Sequence, residues 1–375
     1  MKVTIIGASI SGLFSAYLLA KEGVEVEVYE RVDALDRLSR TLIVTSKLNE
    51  VLGFVPEEAI TNKVRYLEIF SKSRSARLEL TCPDLVIERK KLLKLLARLA
   101  EGAGAKISLK NQFEGFAQFG RKIVVVLRNL ESYEVQKVST DILIGADGAL
   151  SSVAQTVSQN GHYLTALLQA KVLLPEGIDS STCQVWFDSN QTKYFYWLIP
   201  ESRDTATAGL IADDEDQAKA SLGAFLKERK LKPLEFQEAM VPLHRFGYIS
   251  DGQIDRNVFL VGDAAAQVKV TTVGGVVTGL YGARALANAL LNGRNYIKEL
   301  RGLKFELDLH LLMRHVLNRF KEEDYDKLIA MIDGGLRGIL VRWTRDELRQ
   351  SFFRLIFTKP QLVSLGTRAF LRSLL

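Results

Sequence analysis

KVTIIGASISGLFSAYLLAKEGVEVEVYE, residues 2–30, is the stretch that decides the fold. Residues 2–7 form a short apolar run, 11–22 carry apolar side chains at helical spacing, and 24–30 alternate before ending on an acid. Strand, glycine turn, helix and strand within about 30 residues make the unit that seats a dinucleotide. Gly7-Ala8-Ser9-Ile10-Ser11-Gly12 stands where the first strand turns into the helix. A pyrophosphate can approach backbone N–H groups there, and the partial positive charge of the helix N-terminus favours the anion. Gly7 makes the turn and Gly12 lets the helix pack against the strand. Ser9 replaces the usual middle glycine and brings a hydroxyl able to bond a phosphate oxygen. Glu30, 18 residues beyond Gly12, is placed to accept from ribose hydroxyls, and its charge disfavours a 2′-phosphate. The expected cofactor-binding residues of this unit are Gly7, Ser9, Ile10, Ser11, Gly12, Glu30 and Arg31.

Two distant segments separate FAD from NAD. Gly145-Ala146-Asp147-Gly148 resembles the Asp-Gly element that hydroxylase-like flavoproteins place between cofactor and substrate. Gly262-Asp263-Ala264-Ala265 ends another apolar run, Asn257 to Val261, and resembles the element whose Asp binds the ribityl chain of FAD. Arg89, heading the helical stretch 89–103, resembles the arginine this group places near the FAD phosphates and ribitol. The order of these elements, and the roughly 115 positions between Asp147 and Asp263, match a glutathione-reductase-type flavoprotein. The Asp-Gly element usually ends in Arg, where this chain has Ala154.

After Asp263 the chain reads Ala264-Ala265-Ala266-Gln267-Val268-Lys269-Val270-Thr271-Thr272-Val273-Gly274-Gly275-Val276. This looks like the Gln-Val-Lys…Thr-Thr-Gly-Gly-Gly stretch of the geranylgeranyl reductase family. Phe195-Tyr196-Trp197-Leu198-Ile199-Pro200 is similar to that family's Tyr-x-Trp-x-Phe-Pro signature, with Phe195 and Ile199 as departures. Gly274 and Gly275 precede a helix, 276–290, so backbone N–H groups can face the flavin's N1–C2=O edge and favour an anionic reduced flavin. The cofactor set therefore extends to Arg89, Asp147, Gly262, Asp263, Gly274, Gly275 and Val276. On the substrate side the expected residues are Trp186, Phe195, Trp197 and Pro200. Alternation puts Phe195 and Trp197 on one face of their strand, and Tyr194 and Tyr196 on the other. No metal site is expected, and no residue is singled out as catalytic: no His lies near the flavin elements, leaving a flavin-bound water or a tyrosine as proton donor.

The resulting fold class is α/β with an α+β insert. A Rossmann-like FAD-binding domain of the glutathione-reductase type is expected over 1–158 and 251–300, with 60–90 on the substrate side. An antiparallel-sheet substrate domain over 159–250 and a helical C-terminal region over 301–375 complete the chain. Short strands are expected at 106–109, 113–119, 122–128 and 134–144, then at 165–173, 183–188, 194–200 and 205–212.

Composition is that of an ordinary globular chain: 375 residues, 47% hydrophobic and 25% charged, long enough for about two domains. Cys82 and Cys183 are too few for a disulfide framework or a zinc site, which fits a reducing cytoplasm. No signal peptide and no membrane-spanning run is read. The net charge of +6 matches the excess between Gly334 and Leu375, where eight Arg or Lys face Asp346 and Glu347. No nucleic-acid-binding signature accompanies that charge. Residues 336–357 mix Arg337, Arg342, Arg345 and Arg349 with Leu, Ile, Trp and Phe, as does an amphipathic helix lying on an anionic lipid surface. An Arg-rich cap over the core is the other reading of that tail.

The family resemblance implies reduction of carbon–carbon double bonds in isoprenoid chains, geranylgeranyl chains of lipids above all, by hydride from N5 of reduced FAD. An isoprenoid or lipid substrate and an electron donor, NAD(P)H or a ferredoxin-like carrier, are the implied partners. The implied location is cytoplasmic, peripheral on the inner face of the membrane. Two other functions stay open: an aromatic-hydroxylase-like monooxygenase, and a flavin- or lipid-binding protein without turnover.

Overall fold

The computed structural model describes residues 1–35, 40–157, 163–246, 253–255 and 257–372. A six-stranded sheet runs in the order 253–255, 258–260, 142–145, 2–6, 25–29, 106–108, parallel except for its first strand. Lys2–Ile6 and Ile142–Gly145 are buried almost throughout, which accounts for their continuous apolar runs. The helices Ile10–Ala20, Arg89–Gly102 and Val276–Leu291 bury their apolar sides in one core with this sheet. Small residues set how closely they approach. A Cβ on Gly279 would lie 2.5 Å from Ser11 Oγ and 3.1 Å from the Gly262 Cα.

The expected strand 134–144 is two strands. Val135–Thr140 joins Asn111–Phe119 and Lys122–Asn129 in a three-stranded antiparallel sheet, and Ile142–Gly145 enters the six-stranded one. The first part is mostly exposed and the second wholly buried, so one apolar run concealed a change of layer. Asp141 marks the bend, its carboxylate accepting from the Lys2 N–H at 2.8 Å and facing the Lys122 amine at 2.6 Å.

A second sheet has eight strands in the order 233–242, 164–173, 205–212, 196–200, 182–186, 60–70, 75–88, 41–44. Five come from the 159–250 stretch. The other three, Thr41–Val44, Ile60–Phe70 and Ser75–Glu88, come from the N-terminal segment and meet the rest through a parallel pairing of 182–186 with 60–70. Two elements in this region have no counterpart in the strand pattern of the sequence: the helix Glu215–Glu228, capped by Asp214, and the edge strand Pro233–Pro242.

The C-terminal region is helical, but 336–357 is not one helix. Arg337–Arg342 and Leu348–Thr358 are separated by a partly buried turn, in which the Asp346 side chain is enclosed. Thr344 donates its N–H and hydroxyl to Glu347, both at 3.0 Å. The buried Glu306 carboxylate accepts from the N–H groups of Leu348 and Arg349, closing the start of the second helix. Arg345 and Asp346 therefore belong to the interior, not to a lipid-facing stripe. Among the described residues no helix is long and apolar enough to cross a membrane.

Candidate active site

Two cavities sharing Ser9, Arg89 and Gly148 lie along the carboxyl ends of the parallel strands. This is where an open α/β sheet places a ligand. The smaller, about 220 Å³, is lined by Gly7, Ala8, Ser9, Glu30, Arg31 and Asp147 among others. Ser9 caps the helix Ile10–Ala20, its hydroxyl accepting from the Gly12 N–H at 3.1 Å. Glu30 accepts from the N–H groups of Ala8 at 2.8 Å and Val32 at 3.1 Å, which ties the end of the second strand to the turn. Gly7 has φ +102°, and a Cβ there would sit 2.5 Å from the Ala146 carbonyl oxygen. Gly12 lines neither cavity; its Cβ would meet the Gly7 carbonyl at 2.3 Å, so it serves close packing. Asp147 accepts from Ser151 Oγ at 2.5 Å and from the N–H groups of Ser152 and Val153, and burial raises its pKa.

The larger cavity, about 400 Å³, has three zones. The first contains Ser9, Ile10 and Ser11 at one helix start, Gly274, Gly275 and Val276 at another, and the side chains of Arg40, Arg89 and Asp263. Burial lowers the Arg40 pKa to about 10, with Arg89 adding to the depression. Burial also raises Asp263, against the pull of both guanidinium groups. Two enclosed cations against one carboxylate leave this zone electropositive, as a diphosphate requires. Gly262 lies behind it with φ +67°, and a Cβ there would meet Ser11 Oγ at 2.5 Å.

The second zone is apolar: Leu67, Ile69, Leu167, Val185, Phe187, Phe195, Trp197, Ile199 and Val241. Phe195 and Trp197 face the cavity, with rings 6.0 Å apart. Tyr196 points away and stacks on Phe225 at 4.5 Å, and Tyr194 packs under Arg314. Two expected substrate residues lie elsewhere. Trp186 stacks on Phe70 and meets Phe225 edge-on, with Arg229 over its ring, because it pairs in register with Tyr196 and shares that outward face. Pro200 falls on the same face by alternation, and its carbonyl accepts from Asn62 Nδ2 at 2.9 Å.

The third zone is charged. Lys269 pairs with Asp346, Arg345 pairs with Asp84, and Asp346 also accepts from Thr45 Oγ1 at 2.7 Å. All four charged side chains line the cavity beside Cys183, whose thiol burial pushes up to about 12. Lys269 belongs to the Gln-Val-Lys stretch, whereas Arg345 and Asp346 fall within 336–357, for which the sequence offers a lipid-facing helix or an Arg-rich cap.

The residues present fit a flavin dinucleotide. Two helix N-termini open onto one elongated space, backbone replaces side chains at Gly7, Gly274 and Gly275, and an apolar zone adjoins the second helix start. The FAD binding domain family model matches residues 1–295. The chain belongs to the FAD-binding-domain family. Its cofactor is FAD. The flavoprotein is 26% identical to a digeranylgeranylglycerophospholipid reductase of Methanocaldococcus jannaschii, covering 96% of each chain. It is 27% identical to a second protein of that name, from Methanothermobacter thermautotrophicus, over 88% of this chain and 91% of the other. Among solved structures, a geranylgeranyl bacteriochlorophyll reductase-like protein from Thermoplasma acidophilum superposes with a TM-score of 0.75 at 19% identity, covering 96% and 98%. A flavin-dependent halogenase superposes at 0.68 with 16% identity, covering 96% and 78%, so the architecture is shared across different chemistries.

Proposed function

We propose that this flavoprotein is an oxidoreductase that reduces carbon–carbon double bonds of isoprenoid chains, the geranylgeranyl chains of lipids in particular. The observation that carries the reading is the larger cavity itself, in which the cofactor cradle opens directly onto an apolar, aromatic-walled zone. Digeranylgeranylglycerophospholipid reductases spanning nearly the whole chain support it.

In this reading Gly7, Ser9, Ile10, Ser11, Glu30, Arg31, Arg40, Arg89, Asp263, Gly274, Gly275 and Val276 hold FAD, with Gly12, Asp147 and Gly262 shaping the backbone beneath it. Reduced FAD supplies hydride when bound. The chain's own part is to lay the alkene in the Phe195–Trp197 zone, keep bulk water away, and fix the distance of approach. An isolated alkene offers no polarised atom to grip, so orientation by apolar walls carries much of the catalysis.

Electrons reach the flavin from NAD(P)H or a ferredoxin-like carrier, and the protein works in the cytoplasm, peripheral on the inner face of the membrane. Lipid contact is supported by the exposed Phe353, Phe357, Val363 and Phe370, interspersed with Arg354 and Arg368 on the last two helices. Replacing the three phenylalanines with serine should abolish co-sedimentation with anionic liposomes at low salt and leave FAD bound; unchanged sedimentation refutes the contact. The test of the activity is anaerobic: holoprotein, dithionite and a geranylgeranyl lipid, with the product weighed. Mass gains in multiples of two establish the reductase. Untouched lipid overturns it, and oxygen-dependent NADPH consumption would then identify a monooxygenase.

A further inference from the structure

A reduction of this kind consumes one proton for each hydride, and the proton must appear inside a largely apolar space. Among the described residues lining the larger cavity there is no His, Glu or Tyr. Tyr194 and Tyr196 both lie off the cavity, against Arg314 and Phe225 respectively. The lining groups that carry a proton on N, O or S and can release it are few. Asp263 sits in the electropositive zone with Arg40 and Arg89. Asp84 is bound to Arg345, and a guanidinium does not give up its proton. The Cys183 thiol is held as a weak acid by burial. Lys269 differs from these. Its side chain runs past Gly274, where a Cβ would stand 3.4 Å from its Cε, and its Nζ ends against Asp346. Asp346 is fixed in turn by Thr45 Oγ1, and Glu347, next in the chain, meets the Lys47 amine at 3.0 Å.

We propose that Lys269 is the proton donor of the reduction and that Asp346 is its positioning residue. The inference rests on the reductase reading. Hydride adds to one alkene carbon, and the π electron pair goes to the other carbon, which takes a proton from Lys269 Nζ. The lysine is left as a neutral amine and regains a proton from water. Burial lowers the Lys269 pKa while Asp346 opposes the fall, so the ammonium is a stronger acid than a free lysine. Arg345, Asp84 and His310 are the other titratable groups that face it.

The experiment uses FAD-loaded protein, prereduced with dithionite and mixed anaerobically with a geranylgeranyl lipid, with flavin reoxidation followed by absorbance. A second readout needs no turnover: the shift the lipid causes in the spectrum of the oxidised flavin. Lys269→Ala should keep the lipid-induced shift, slow reoxidation about 10²- to 10⁴-fold, and recover part of the rate with added methylammonium. Asp346→Asn should move the high-pH fall of the rate to lower pH, because the carboxylate that raises the lysine pKa is gone. A Lys269→Ala rate within fivefold of wild type overturns the assignment. So does a slow variant that has lost the lipid shift and is not rescued, which makes the residue structural. Wild-type protein that leaves the lipid untouched overturns the reductase reading, and this inference with it.

Discussion

Gln267 and Gly282 should behave as one unit in a double-mutant cycle. Gln267 is fully buried; its Oε1 accepts from the Gly262 N–H at 2.8 Å and its Nε2 donates to the Tyr296 hydroxyl at 3.1 Å. Tyr296 donates onward to the Leu260 carbonyl at 3.2 Å, so this amide braces the turn that presents Asp263. A methyl on Gly282 would stand 2.0 Å from Gln267 Oε1 and 2.6 Å from its Cδ, so the amide would have to leave. Gln267→Ala orphans the Gly262 N–H and opens a small void, costing about 2–4 kcal/mol. Gly282→Ala expels the same amide but gains about 1 kcal/mol of helix propensity, for a net cost of about 1–3 kcal/mol. If the two were independent, the double variant would lose about 3–7 kcal/mol. With the amide already absent, the Gly282 methyl has room and keeps its propensity gain. The double variant should therefore be no less stable than Gln267→Ala alone. Denaturant unfolding is the better assay, because at about 2.1 cal/mol/K per residue a 3 kcal/mol loss moves the Tm of a chain this long by only about 4 °C. Coincident fluorescence and circular-dichroism transitions would establish that each variant unfolds in one step. Single-variant losses that add to within about 0.5 kcal/mol would refute the reasoning.

Arg40→Met should weaken FAD binding about 10- to 100-fold, the worth of a charged hydrogen bond, while leaving the apoprotein at least as stable, since burial of that cation is already unfavourable. Fluorescence titration with FAD and apoprotein unfolding check both signs, and a destabilised apoprotein contradicts the account. Burial holds His244 and His310 below the ordinary imidazole value of 6.5, so both are neutral when folded near pH 7 and take up protons on unfolding in acid. Stability should therefore fall as pH drops below 6.5 toward the folded values, by up to about 1.4 kcal/mol per pH unit for each histidine. His310→Gln should flatten part of the difference between urea midpoints at about pH 7.5 and pH 5.5, and an unchanged difference argues against the linkage. Glu306→Ala removes the acceptor for two N–H groups at the start of the helix Leu348–Thr358, at a cost of about 2–4 kcal/mol. Trypsin should then cut faster at Arg345 and Arg349 with FAD still bound, and equal cleavage would mean the turn is held by other contacts.

The flavin end of the site was legible because its chemistry is local. Gly7 to Gly12 and Gly262 with Asp263 each follow directly on a short apolar strand, and Glu30 ends another, so order and spacing place them without knowledge of the rest. The substrate end required pairings. Alternation put Phe195 and Trp197 on one face, and the same rule already places Pro200 on the opposite one. Only the register of Trp186 against Tyr196, and of Val185 against Trp197, shows which residues of the neighbouring strand follow each face. Valine, the less conspicuous of the two, lines the cavity, and tryptophan does not.

The charged zone left the faintest trace, and its physics says why. Asp84 and Arg345 stand 261 positions apart, and Lys269 and Asp346 stand 77 apart, so neither pair follows a helical or strand period. A charge count over the tail records Arg345 as one more surface cation, although its partner cancels it inside the protein. Four desolvated charges are tolerable only as pairs, because removing any one leaves another buried and unmatched. The C-terminal turn is therefore bound to the cavity wall by energetics as well as by geometry. The trace that did exist was a break in pattern. Thr344-Arg345-Asp346-Glu347 sets four polar residues in succession between apolar helical stretches, which an uninterrupted lipid-facing helix cannot place on a single outer face. Such a tetrad, inside a segment otherwise fit for a membrane surface, is reason to expect a turn, and only the tertiary pairs show that its charges are directed inward.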